Sequence, residues 1–226
     1  MNKVSLKPRK ISFTLILIFT FFHCLIKAQT PSTCFEIESI LVDACDGGNE
    51  GQNEMVLFHV GNTALNTANL TINWPNNSFL GICQNATTAA AIATINGTIT
   101  KCGYLKEPVG GVLPAGSKVL VITSTAFNPL AQSFATLTDT LIVIFQCAGN
   151  TAGHFVNYGT PSSTRTLTMS FSSPAGCSDA VTYDRSLLLK QNLTPGAQTA
   201  DKSPISHDNL VNEQIDCKSA ASRELT

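Results

Sequence analysis

The stretch Asp139-Thr140-Leu141-Ile142-Val143-Ile144-Phe145-Gln146-Cys147 holds five apolar residues in succession, three of them β-branched, between polar neighbours. So short a run reads as a β-strand covered on both faces, either central in a sheet or shielded by a loop. Working outward, Leu70, Ile72 and Trp74 alternate with Thr71 and Asn73, and Leu167, Met169 and Phe171 alternate with Thr168 and Ser170. Period-two alternation predicts strands with one wet face. Together with 36–43, 54–60, 118–124 and 179–184, the stretches 69–74, 139–147 and 166–171 make seven predicted strands. Turn chemistry separates them at Gly47-Gly48, Pro75-Asn76-Asn77, Gly110-Gly111, Pro114-Ala115-Gly116 and Pro174-Ala175-Gly176. The pattern predicts an all-β antiparallel sandwich. One segment breaks it: residues 86–96 are Ala-rich, with Thr87 or Thr88 as N-cap and Gly97 just past the end, which predicts a short inserted helix. A further helical turn is expected at 130–134.

Composition agrees. Of 226 residues, 43% are hydrophobic and only 13% charged, too few charges for a solvated helical bundle or a charge-rich disordered chain. The length suits one domain with appendages. Residues 1–28 carry Lys3, Lys7, Arg9 and Lys10 ahead of an apolar run at 11–26 and then Ala28, the pattern of a cleaved secretory signal peptide. The run is shorter than the ~18–20 residues of a membrane-spanning helix, so the membrane enters only through export. Cleavage leaves nine Lys and Arg against fifteen Asp and Glu, a net charge of −6. Such a surface repels phosphate backbones and disfavours nucleic acid as a partner. Residues 190–226 contain no aromatic side chain and predict a flexible polar tail, leaving 34–189 as the folded domain.

Seven cysteines remain after cleavage: Cys34, Cys45, Cys83, Cys102, Cys147, Cys177 and Cys217. No C-x-x-C occurs, and His59, His154 and His207 are scattered, so disulfides are expected rather than zinc. The predicted bridges are Cys83 with Cys102 and Cys147 with Cys177, each stapling a loop between strands, and Cys217 with Cys34 or Cys45.

The order of strands resembles the lamin-tail domain, as found in secreted proteins of the Bacteroidetes. The family's opening I-x-E-[IV]-L-x-D strand is matched by Ile37-Glu38-Ser39-Ile40-Leu41-Val42-Asp43, and its E-[FM]-V-E-L-x-N-x-G strand by Glu54-Met55-Val56-Leu57-Phe58-His59-Val60-Gly61. Val112-Leu113-Pro114-Ala115-Gly116 stands for the L-x-P-G turn. Leu137-Thr138-Asp139-Thr140-Leu141 and Asp179-Ala180-Val181-Thr182-Tyr183 follow in the family's order. Two departures are Leu70 in place of the family's Trp and the insertion at 79–110. The resemblance, over about residues 36–185, implies an immunoglobulin-like β-sandwich of about seven strands and a secreted, non-catalytic role.

For chemistry, residues 43–54 place Asp43, Asp46, Glu50 and Glu54 among three glycines. Calcium takes roughly six to eight oxygens on a bendable loop, so this is the candidate metal site, although the spacing is not that of an EF-hand. No G-x-S-x-G or H-E-x-x-H motif is present. His59 reads as a strand residue facing solvent, His154 as a hairpin tip and His207 as part of the tail. Glu36 and Glu38 share a strand face at ~7 Å, as glycosidase carboxylates do, yet without an aromatic cleft they read as a solvated strand end. The sequence therefore predicts a non-enzymatic binding or structural module with an extracellular protein or glycan partner, its contact surface in 76–102 and 148–165. A calcium-dependent carbohydrate or surface binder is the alternative, and a secreted hydrolase the third reading.

Overall fold

The computed structural model describes residues 34–43, 50–147, 149, 152–155, 164–184, 189–190 and 198–201. The predicted signal peptide, Gly47-Gly48 and most of the predicted tail lie outside these residues. The strands are β1 (Phe35–Asp43), β2 (Met55–Val60), β3 (Leu65–Asn66), β4 (Leu70–Asn73), β5 (Ile82–Cys83), β6 (Tyr104–Lys106), β7 (Val112–Leu113), β8 (Lys118–Ile122), β9 (Thr140–Gln146), β10 (Thr164–Phe171), β11 (Cys177–Asp184), β12 (Leu189–Lys190) and β13 (Gln198–Asp201). Among the described residues one α-helix, α1 (Ala86–Asn96), interrupts them. All seven predicted strands are present, and the described residues are all-β apart from this helix and short 3₁₀ turns.

The larger sheet runs β12-β13-β1-β2-β8-β9-β5, with β6 also on β9; the smaller runs β11-β10-β4, and β3 pairs with β7. Its residues sort by parity. Val56, Phe58 and Val60 of β2, Val119 and Val121 of β8, and Ile142 and Ile144 of β9 enter a core shared with Leu70, Ile72, Leu167, Met169, Phe171 and Val181 of the smaller sheet. Their alternates Met55, Leu57, Leu120, Ile122, Leu141, Val143 and Phe145 enter a second core with Ile92 and Ile95 of α1 and Phe127, Phe134 and Leu137. The uninterrupted apolar run of β9 is thus explained by cover on both faces. The smaller sheet keeps the one wet face its alternation predicts, with Thr71 and Asn73 exposed beside buried Leu70 and Ile72.

The expectation of purely antiparallel pairing is corrected. β9 runs parallel to both β8 and β6. Parallel neighbours need a crossover connection. Here residues 123–139 supply it, and Phe127, Phe134 and Leu137 of that crossover form part of the second core.

β1 carries a bulge. Ile37 stands opposite Phe58 but Ser39 opposite Leu57, so Glu38 is the extra residue. This slip re-phases the strand, so that Phe35 and Ile37 before it and Ile40 and Val42 after it all face the shared core. The Ile37 N–H donates to Asp179 Oδ2 at 2.8 Å, tying β1 to β11 of the other sheet.

Three further expectations are corrected. The helix cap is Asn85, not Thr87 or Thr88: its side chain accepts from Thr87 N at 2.9 Å and Thr88 N at 3.3 Å, while Thr88 Oγ1 accepts from Asn85 N at 2.8 Å. Asn85 thus satisfies two of the amides that the first turn of the helix leaves without a backbone partner. No helical turn forms at 130–134, because the Asn128 side chain takes the Leu130 N–H at 3.1 Å and closes a local turn instead. Finally, residues 198–201 of the predicted tail pair with β1, and Leu189–Lys190 pairs with them in turn.

The predicted bridges from Cys83 to Cys102 and from Cys147 to Cys177 are replaced by one between Cys83 and Cys147, with Cα atoms 4.8 Å apart. The insertion returns as β5 along β9, pairing Ile82 with Gln146 and Cys83 with Phe145. The Cys147 N–H donates to Gly81 O at 2.8 Å, which sets the two cysteines side by side. Cys102 is exposed and donates its thiol to Thr138 O at 3.4 Å.

Candidate functional site

The densest set of buried polar side chains gathers where β9, the start of β2 and residues 152–155 meet. Glu54, Thr123, Gln146 and His154 are all buried, as is Trp74 beside them. The Glu54 carboxylate accepts the His154 N–H at 2.6 Å and the Phe155 N–H at 3.3 Å. Two glycines permit this approach. A Cβ on Gly51 would strike the Gly153 backbone, and one on Gly153 would lie 2.9 Å from Glu54 Oε1.

Gln146 stands at the centre. Trp74 Nε1–H donates to Gln146 Oε1 at 2.6 Å. An indole N–H only donates, so it fixes which end of the amide is oxygen. Gln146 Nε2 therefore donates to Thr123 O at 3.3 Å and faces His154 Nε2 at 2.6 Å. His154 Nε2 must then accept, which puts the ring proton on Nδ1. Nδ1 has no hydrogen-bond partner among the described residues. Burial lowers the His154 pKa from its usual value, so the ring is neutral near pH 7. Its face packs edge-on to Trp74 at 5.1 Å, and Phe155 continues the stack to Trp74 at 5.6 Å and Tyr183 at 5.9 Å.

The arrangement holds loops to the sheet. The His154 imidazole is buried, neutral and engaged through Nε2, and the Glu54 carboxylate accepts the backbone amides of His154 and Phe155. The sequence reading of His154 as a hairpin tip is overturned by its complete burial. The signal was present in Trp74, the one tryptophan of the chain, whose N–H needs an acceptor once buried, and in Gln146 closing an apolar strand.

Of the acidic set, Asp46 lies outside the described residues, as do the side chains of Asp43 and Glu50; Glu54 points into the cluster above. Among the described residues no three His, Cys, Asp or Glu side chains are placed to hold a metal. His59 is part-buried in β2, in register between Glu36 of β1 and Lys118 of β8. Lys118 Nζ in turn lies 2.9 Å from Asp139 Oδ2. His207 and most of 148–165 are outside the described residues. Within the 76–102 insertion Leu80 is exposed, and Tyr104 and Leu130 are exposed elsewhere. Asn85 and Asn96, both in N-x-[ST] sequons, serve the fold: Asn85 caps α1 and Asn96 exchanges two hydrogen bonds with the Leu105 backbone at 2.8 Å. No protein-family model matches the chain, and no curated protein or solved structure matches it significantly.

Proposed function

We propose that the chain is a secreted, non-catalytic binding or structural module of the cell surface or extracellular space, built on an immunoglobulin-like sandwich of the lamin-tail type. The observation that carries this reading is the use made of the buried polar groups. Glu54, Gln146, Trp74 and the Nε2 atom of His154 are engaged with one another and with the backbone, and only the Nδ1–H of this cluster is left without a partner among the described residues, which supports a scaffold role. A smaller sheet sharing one core with a larger one supports the sandwich, with the parallel β8–β9 pairing as its departure from the immunoglobulin pattern. The Cys83–Cys147 bridge suits an oxidising compartment. Contact with an extracellular protein or glycan falls to loops and exposed apolar side chains such as Leu80.

The test is a screen of the oxidised protein against polysaccharide, phosphate-ester and peptide substrates alongside a glycan array and whole-cell binding. Binding without turnover is the expected result. Hydrolysis that disappears on changing a single side chain would overturn it.

A further inference from the structure

We propose that Cys34 and Cys177 form a second disulfide, which closes the seam between the two sheets. Cys34 directly precedes β1 of the larger sheet and Cys177 opens β11 of the smaller one. Both lie in the shared core, 8% and 1% exposed, and the two side chains are in hydrogen-bonding contact.

The surroundings hold them there. Phe35, next to Cys34, packs edge-on against Phe171 at 5.3 Å, and Phe171 is the residue paired with Cys177 across β10 and β11. On the other side the Ile37 N–H is bound to Asp179 at 2.8 Å. The Cys34 carbonyl accepts from Gly61 N at 2.7 Å, which fixes its backbone as well. Among the described residues the other cysteines are committed or exposed: Cys83 and Cys147 are bonded to each other, and Cys102 sits exposed against Thr138 O, while Cys45 and Cys217 lie outside the described residues.

Burial, with Cys34 adjacent, pushes the Cys177 thiol up to about 12, and a protonated thiol is a poor nucleophile. A small-molecule disulfide such as oxidised glutathione supplies the oxidant. One cysteine thiolate displaces a glutathione thiolate to give a mixed disulfide, and the second cysteine displaces the other. One protein disulfide and two reduced glutathiones result, which carry away the two protons and two electrons lost by the cysteines.

The experiment refolds the protein in a mixture of reduced and oxidised glutathione, denatures it in N-ethylmaleimide, and maps peptides after trypsin and a glutamate-specific protease. The expected product joins the peptide that ends at Glu36 to residues 166–185, lighter by two hydrogens than the reduced pair and separated by reductant. The link should persist in Cys102→Ser. Maleimide on both Cys34 and Cys177, or a link from either to Cys45, Cys102 or Cys217, would overturn the proposal. The test supplies its own oxidant, so it stands whether or not the proposed export is correct.

Discussion

Gln146 is one amide answering three demands: the indole N–H of Trp74, the Thr123 carbonyl and the His154 ring. Replacing it with Leu conserves volume but orphans all three. An unsatisfied buried polar group costs about 1–3 kcal/mol, so Gln146→Leu should lower the unfolding free energy by ~3 kcal/mol or more in urea, read by Trp74 fluorescence. Gly153→Ala tests the same corner from the backbone, because its Cβ would meet Glu54 Oε1 at 2.9 Å. A loss of about 1–3 kcal/mol is expected there, and a neutral result would mean that residues 152–155 shift freely. Periodicity carries none of this, although a single tryptophan and a glutamine closing an apolar strand are the residue types that a buried polar pair needs. Gln146 read as the polar end of a strand and His154 as a turn residue, since partners far apart in sequence leave no periodic trace.

At the scale of elements, alternation carried most of the information. The strands on either side of the shared core were legible because burying one face enforces period two, and the β9 run because burying both faces abolishes it. The parallel β8–β9 pairing was not, since it depends on the 123–139 crossover, whose apolar residues have no regular spacing. The disulfide is hidden in the sequence for a related reason: cysteine spacing suggests loops stapled locally, whereas the segment at Ile82–Cys83 joins the sheet as β5 beside β9. The bulge at Glu38 was hidden within a match to a single strand. Its consequence can be measured: Asp179→Ala removes the acceptor of the buried Ile37 N–H and should cost about 1–3 kcal/mol, while Asp179→Asn, which keeps an acceptor oxygen, should cost less. Asn85→Ala should cost α1 about 1 kcal/mol by loss of its cap.

For the whole molecule, the larger sheet is the middle layer, with the smaller sheet on one face and α1 with the 123–139 crossover on the other. The Cys83–Cys147 bond fastens the β5 edge across 64 residues, a loop whose closure the chain-entropy model values at about 4 kcal/mol. Because Glu54 is engaged by amides, thermal melts in calcium and in chelator should share one midpoint. A rise of roughly 2–8 °C in calcium would instead make the 43–54 loop a metal site. The central claim is that the buried polar groups are structural, and the dependence of global stability on pH tests it most directly. His154 is held neutral with its pKa below the unfolded value of 6.5. Below that pH the unfolded chain binds the additional proton, so stability must fall as pH drops toward the folded-state pKa, by up to about 1.4 kcal/mol per pH unit. Urea unfolding of the protein and of His154→Gln from pH 8 to 5 should show the fall below about 6.5 in the first and a shallower one in the second. Identical curves would contradict the account, because His154 would then titrate as freely in the folded protein as in the unfolded chain.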